Sequence, residues 1–327
     1  MGMPFKISAR ERWEAKFRSA YPFDPEKSGE TDRLRLILGV GRSGTSWVSQ
    51  VLFKTPMPCR CFSEPLFHIV PPLPFQKSGD HTALGYQPFQ TGHPLLRAYQ
   101  LLADRQFAGT AVQTLQRNDA GWEACVVKEV HSLLGTEGLL RQWRTPTAFI
   151  LRDPVYIIDS LFAAQTLQTI YLDHEVEAVQ AGPFVERFVP KREAEIQRRF
   201  ADAARREPRL RLILGKVLCV QLLQEMFSVL AAEFPSARVL RYEELCAAPR
   251  AGFLALAATL SIPWDDAMDA YLSHTTAADV TSSDPYSVVR NTSEQSARAL
   301  KFLSASEAAA CREALQAITG DNAKAAR

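Results

Sequence analysis

Glycines at positions 39 and 44, with Arg42, Ser43, Thr45 and Ser46 between and beside them, are residue types that can hold an anion. They stand in Leu34–Leu52, LRLILGVGRSGTSWVSQVL, which reads as strand, glycine-rich turn and helix. The two glycines have the spacing of G-x-x-x-x-G-K-[ST], but Thr45 occupies the lysine position. Such a turn lets successive N–H groups face one anion, and a helix starting near Thr45 adds its positive end. The lysine that would reach the β- and γ-phosphates of a triphosphate is missing. The pattern therefore fits a nucleotide with a single 5′-linked anionic group better than it fits ATP. Further along, Arg152-Asp153-Pro154 follows the apolar run Thr147–Leu151, and Ser160 stands eight positions after Arg152. An arginine at the carboxyl end of a strand offers a planar fork of donors where open α/β sheets bind ligands. Asp153 is a natural N-cap and Pro154 a natural first residue, so a helix should start there and carry Ser160 toward the same ligand. Taken alone, Arg-Asp-Pro could equally do no more than cap that helix.

These segments resemble a known family. Gly41-Arg42-Ser43-Gly44-Thr45-Ser46-Trp47 resembles the 5′-phosphosulfate loop of sulfotransferases that use 3′-phosphoadenosine-5′-phosphosulfate (PAPS). Arg152-Asp153-Pro154 with Ser160 is similar to the family's 3′-phosphate motif, and Val239–Pro263, VLRYEELCAAPRAGFLALAATLSIP, to its R-Y-E-x-L segment and the helix after it. The resemblance implies PAPS as co-substrate, adenosine 3′,5′-bisphosphate (PAP) as product and no metal. It implies that Arg42, Ser43, Gly44, Thr45 and Ser46 bind the sulfate-bearing phosphate, with Arg42 also catalytic. Trp47 then stacks on adenine, unless it is a core residue of the first helix, and Tyr242 lies near adenine, unless it packs after a strand. Ser287–Ser293, SVVRNTS, resembles a segment of carbohydrate sulfotransferases that closes over the nucleotide, which makes Arg290 a nucleotide contact. The tryptophan-arginine pair expected after that segment is absent, because Ala299 and Leu300 stand there.

Sulfuryl transfer needs a base for the acceptor hydroxyl, in-line attack on sulfur and charge stabilisation on the departing phosphate. Lys128, in VVKEV, resembles a family lysine that reaches the bridging oxygen; the alternative is a solvated lysine after a strand. Ser63-Glu64-Pro65-Leu66-Phe67-His68 resembles the E-P-L-x-H segment of carbohydrate sulfotransferases, whose glutamate is the base. A carboxylate can take that proton if partial burial raises its pKa toward neutrality. Glu129 and His131 are the rival bases. Cytosolic small-molecule members place a histidine two residues beyond the lysine, whereas His131 is three beyond Lys128. On a strand that offset points to the opposite side, unless the strand has ended.

The elements that must position these groups alternate. Strand-like runs occur at Leu34–Gly39, Cys125–Val127, Thr147–Leu151 and Arg238–Leu240, with helix-period segments between them. That alternation predicts an α/β fold: a three-layer, P-loop-like architecture with a central, mostly parallel sheet flanked by helices. The chain is expected to form a single sulfotransferase domain over 1–327, with an N-terminal arm over 1–33. Segments 54–123 and 166–209 interrupt the rhythm and are expected to build the acceptor site; Pro65–Pro94 reads as a long ordered loop. Arg187–Arg211 holds nine Lys/Arg and four acidic residues, a solvated helix face or a groove for an anionic acceptor. Ser304-x-x-Glu307 is a capping-box signature opening a closing helix to Ile318.

Composition excludes several classes. A net charge of +2 gives no support to nucleic acid as a partner, and 46% hydrophobic with 23% charged residues is ordinary for a globular chain. No window approaches eighteen uninterrupted apolar residues, so no transmembrane segment is expected. Residues 1–33 lack the apolar core of a secretory signal, and six cysteines in 327 residues make no disulfide framework, so a reducing, cytoplasmic setting is expected. Cys59-x-Cys61 lacks a second pair at metal spacing. The E-P-L-x-H resemblance favours a sugar hydroxyl as acceptor. A lipid or natural-product hydroxyl is the alternative, consistent with Phe62, Leu66, Phe67, Leu73 and Phe75. A reading from a different class, a kinase-like P-loop nucleotide protein, is opposed by Thr45 at the lysine position and by the lack of an evident Walker-B aspartate.

Overall fold

The computed structural model describes residues 32–65, 99–100, 102–103, 123–131, 133–164, 173–277 and 299–319. The expected N-terminal arm up to position 31, His68 with the proline-rich loop, and Arg290 with Ser287–Ser293 lie outside the described residues.

Five strands form one sheet in which every pair is parallel: β1 (Leu34–Leu38), β2 (Cys59–Ser63), β3 (Ala124–Glu129), β4 (Thr147–Leu151) and β5 (Ala237–Arg241), in the spatial order β2-β3-β1-β4-β5. The architecture is three-layer α/β, as the alternation of runs predicts. Side chains along these strands point alternately to two buried faces. Leu34, Leu36, Leu38, Cys125, Val127, Phe149 and Leu151 enter one core, while Ile37, Ala124, Val126, Ala148 and Ile150 enter the other. A parallel sheet covered on both sides demands such near-continuous apolar strands.

On one side lie α1 (Thr45–Leu52), α8 (Tyr242–Ala247), α9 (Pro249–Thr259) and α10 (Asp266–Thr276), which supply Trp47, Val48, Val51, Leu245, Phe253 and Met268 to that core. On the other lie α2 (Thr136–Trp143), α3 (Pro154–Ala163), α4 (Asp173–Gln180), α5 (Gly182–Phe188), α6 (Glu193–Ala204), α7 (Pro208–Glu233) and α11 (Ala305–Thr319). Helix α7 is the axis of this layer. It is long and apolar enough to cross a membrane by length and composition alone, and 67% of its most apolar window is buried inside the protein. Its start is set by Pro208 in the first turn and by Glu207, whose carboxylate accepts from the N–H groups of Arg209 and Leu210.

Helix starts expected from sequence take their expected form. Asp153 accepts from the Val155 N–H at 2.8 Å with Pro154 in the first turn of α3. Ser304 and Glu307 make the reciprocal capping box of α11, Glu307 accepting from the Ser304 N–H and Ser304 Oγ from the Glu307 N–H. The run into that helix is pinned to α3 by Asp159, whose buried carboxylate accepts from the N–H groups of Lys301, Phe302 and Leu303.

One correction concerns segment 54–123. It opens with a strand of the sheet, β2, which pairs in register with β3 from Cys59↔Ala124 to Ser63↔Lys128. CRCFS lacks the β-branched residues that mark β1 and β4, and its two cysteines have no second pair at metal spacing. They are reduced, buried strand residues with sulfurs 3.4 Å apart.

Candidate functional site

Because all five strands run the same way, everything that follows their carboxyl ends meets at one edge of the sheet. The loop after β1, Glu64 after β2, Lys128 and His131 at and after the end of β3, Arg152 after β4 and Tyr242 after β5 all stand there. β1 is the central strand, with β3 and β2 on one side and β4 and β5 on the other, so its loop occupies the point where strand order reverses. That is where open α/β sheets bind ligands.

One group forms on the β4 side. Arg42 Nε donates to Ser160 Oγ at 3.0 Å, and Arg152 donates to the Arg42 carbonyl at 2.9 Å. The Arg152 guanidinium lies 4.7 Å from the centroid of the Tyr242 ring, a cation–π contact. Two guanidinium groups and a hydroxyl thus converge from residues 42, 152 and 160. Arg42 adopts φ 73°, a left-handed conformation uncommon outside glycine and often found where function constrains the backbone. Gly44 has φ +100°, and a Cβ there would stand 2.3 Å from Tyr242 Cδ2. Glycine is required at 44 for both reasons, and Tyr242 is the wedge that joins the β1 loop to Arg152. At Gly39 a Cβ would meet Ser43 Oγ at 2.6 Å and the Ile150 carbonyl at 2.8 Å, so the loop is packed tightly at its base as well.

The second group forms on the β2–β3 side. Sheet register sets it: Ser63 lies opposite Lys128, and the Glu64 N–H extends the ladder by donating to the Lys128 carbonyl at 2.7 Å. The Lys128 ammonium is buried and hydrogen-bonds Glu64 Oε1, while His131 Nε2 lies 3.2 Å from Glu64 Oε2. Glu64, like Arg42, has a positive φ, 53°. Glu129 is fully buried and accepts from the N–H groups of Val130 and His131, which fixes the turn that carries His131.

Electrostatics distinguishes these acids. Burial raises the Glu64 carboxyl, but the bond to His131 and the charge and bond of Lys128 outweigh it and hold the carboxyl at about 2. Burial pulls the His131 imidazole down, yet its bond to Glu64 and the charges of Glu129 and Glu64 outweigh that and raise it above 6.5. Burial pushes the Glu129 carboxyl up. The condition for Glu64 to act as the base alone, that burial raise its carboxyl toward neutrality, is opposed by these partners. The Lys128 ammonium and the His131 imidazole face Glu64 and hold its carboxyl well below the ordinary 4.5.

Other expected residues fall as follows. Lys128 is not a solvated lysine, being 2% exposed. His131 does face Glu64 and Lys128: β3 ends at Glu129, so strand parity no longer governs position 131. Ser43 and Thr45 are buried and Ser46 is exposed. The Ser43 N–H turns back to the Val40 carbonyl at 3.0 Å, so it is not among the amides that face outward. Trp47 is a core residue, not a ring open to adenine. It is 1% exposed, donates to Thr275 Oγ1 at 3.1 Å and meets Tyr242 and Phe253 edge-on. The Trp47-Val48-x-x-Val51-Leu52 pattern, a helix's inward face, is the sequence signal for this. Tyr242 is likewise buried, against Gly44 and Arg152.

In Arg187–Arg211 the charges are largely met by acids. Arg187 pairs with Glu137 and Glu233, Arg192 with Glu225, Arg198 and Arg199 with Glu195, Arg205 with Asp202 and Arg209 with Glu307. This is a paired helix surface, which leaves the idea of a groove for an anionic acceptor without support. Compared with known proteins, the chain matches no family model and no curated sequence.

Proposed function

We propose that the chain is a sulfotransferase that moves a sulfuryl group from PAPS to an acceptor hydroxyl and releases PAP. The observation that carries this reading is the pairing of two chemically different groups on one sheet edge. Arg42, Arg152 and Ser160 converge beside the β1 loop, and Glu64, His131 and Lys128 form a hydrogen-bonded cluster across it on β2 and β3. Anion anchoring and proton removal are the two tasks the reaction sets.

The residues present fit the donor. The Ser43 hydroxyl is buried in the loop with no partner among the described residues, and a buried hydroxyl ordinarily has one. Arg152 and Ser160 would hold the 3′-phosphate. Arg42, Ser43, Gly44, Thr45 and Ser46, with the positive end of α1, would hold the sulfate-bearing phosphate. PAPS supplies the transferable sulfuryl group. The acceptor oxygen forms its bond to sulfur as the bond from sulfur to the bridging oxygen breaks, and PAP leaves with that electron pair.

The proton of the acceptor hydroxyl goes to Glu64 and His131 acting as a pair. When its imidazole is neutral, His131 takes the proton, and Glu64 stabilises the imidazolium, the division of labour of a base and its orienting carboxylate. Lys128 places positive charge at the same edge, which suits the charge developing on the leaving phosphate. The resemblance of Ser63–His68 favours a sugar hydroxyl as acceptor over a lipid or natural-product hydroxyl.

A thermal-shift comparison tests the reading. PAP stabilises the protein and ATP with magnesium does so much less; the reverse order supports a kinase-like nucleotide protein and sinks this proposal. Transfer of label from labelled PAPS to a panel of glycans, lipids and natural products then identifies the acceptor class.

A further inference from the structure

Arg152 is fixed at its backbone as well as at its guanidinium. β4 ends at Leu151 and α3 begins at Pro154, so the Arg152–Asp153 peptide lies between strand ladder and helix. Two side chains from other elements grip it. Gln224 Nε2, on α7, donates to the Arg152 carbonyl at 2.6 Å. Glu243 Oε1, in the first turn of α8, accepts from the Asp153 N–H at 3.0 Å. Gln224 is 7% exposed, an amide on a helix whose buried positions are mostly apolar. Glu243 directly follows Tyr242, whose ring lies under the Arg152 guanidinium. One side chain thus holds each polar end of the peptide, and the neighbour of one of them supports the head group.

We propose that Gln224 and Glu243 are positioning residues that aim Arg152 at its anion. The proposal rests on the reading of Arg152 as the 3′-phosphate contact. The physical reason is leverage. A guanidinium carbon stands about 6 Å from its Cα, so a 10° swing of the peptide moves it by about 1 Å, and binding constellations tolerate only about 0.5 Å. Each clamp is a single hydrogen bond, so its loss costs little in folding and much in aim.

The test is calorimetry of PAP and of adenosine 5′-phosphate with wild type, Gln224→Met, Glu243→Ala, Glu243→Gln and Arg152→Ala, with a melting temperature for each. Gln224→Met and Glu243→Ala weaken PAP roughly 5- to 20-fold, the scale of one lost hydrogen bond, and leave adenosine 5′-phosphate within about twofold. Glu243→Gln keeps an acceptor oxygen and binds both ligands like wild type. Equal losses for the two ligands, or no loss of PAP affinity, overturn the proposal while Arg152→Ala still abolishes the wild-type preference for PAP. A wild-type protein with no such preference, or an Arg152→Ala variant that retains it, overturns the nucleotide reading and this proposal with it.

Discussion

The two halves of the sheet edge are built on different principles. On the β4–β5 side, Arg152 donates to the Arg42 carbonyl and lies on the Tyr242 ring, and Arg42 donates to the Ser160 hydroxyl, so two guanidinium groups converge. On the β2–β3 side, charge is balanced in place, with Lys128 and His131 facing Glu64. The first arrangement suits holding an anion that arrives from outside. The second suits keeping a carboxylate ionised and an imidazole oriented while a proton passes. The difference teaches that converging donors suit an anion that arrives from outside, while opposite charges set against each other shift pKa values and suit proton handling.

The sharpest way to separate the halves is Glu64→Gln. It lowers turnover roughly 100-fold or more, as loss of an acid–base group does, while PAP affinity stays near wild type. The variant also melts lower by the equivalent of about 1–3 kcal/mol, because the buried Lys128 loses its charged partner. His131→Ala lowers turnover by a similar factor, and activity retained in both variants removes the proton-handling role from this side.

Gly44→Ala strikes the other half. A Cβ at φ +100° and 2.3 Å from the Tyr242 ring displaces the wedge between loop and Arg152, at a cost of about 1–3 kcal/mol for the backbone alone. Circular dichroism with PAP titration on one sample shows reduced stability and lost binding together. Binding lost at unchanged stability would place the obstruction at the ligand instead.

pH reads the charge-balanced half. If neutral His131 takes the proton, turnover falls about tenfold per unit as pH drops below its raised pKa, with Glu64, held near 2, contributing no break between pH 5 and 9. A profile flat through neutrality assigns the proton to Glu64 alone. Stability follows the same groups with opposite signs. The Glu64 contribution is complete above its ordinary 4.5 and lost as pH falls toward about 2; that of His131 is complete below 6.5 and lost as pH rises through its raised value. Denaturant midpoints across pH measure both windows.

The smallest effect belongs to Trp47→Phe. It loses the bond to Thr275 and costs about 0.5–1.5 kcal/mol of stability, with the preference for adenosine over other nucleosides unchanged. A large loss of adenine selectivity at wild-type stability would restore the stacking role.

Legibility in the sequence follows the same division. The β1 loop, the Asp153 cap, Pro154 and the Ser304–Glu307 box are local, set by residues a few positions apart, and the chain alone displays them. Four strands show in the sequence as apolar runs, but β2 does not, because Cys59, Arg60 and Cys61 carry no strand signal without the register that β3 imposes. The approach of His131 to Glu64 spans 67 positions and depends on where β3 stops, a tertiary fact. The low pKa of Glu64 depends on the His131 bond and the Lys128 charge together, so burial alone has the wrong sign. Trp47 shows the opposite case: motif resemblance implies a ligand contact, while helix periodicity already places it in the core. Gln224 and Glu243 carry no motif at all, since each acts on a peptide 72 or 90 positions away.

The central claim, an anion anchor that recognises a 3′-phosphate beside a separate proton-handling cluster, is tested most directly by calorimetry of PAP and adenosine 5′-phosphate on wild type and Arg152→Ala. Wild type binds PAP more tightly by roughly 10- to 100-fold, the worth of a charge-assisted contact of about 1.5–3 kcal/mol, and Arg152→Ala brings the two affinities together by weakening PAP alone. Equal affinity of wild type for both nucleotides, or an Arg152→Ala variant that weakens both alike, would contradict the account.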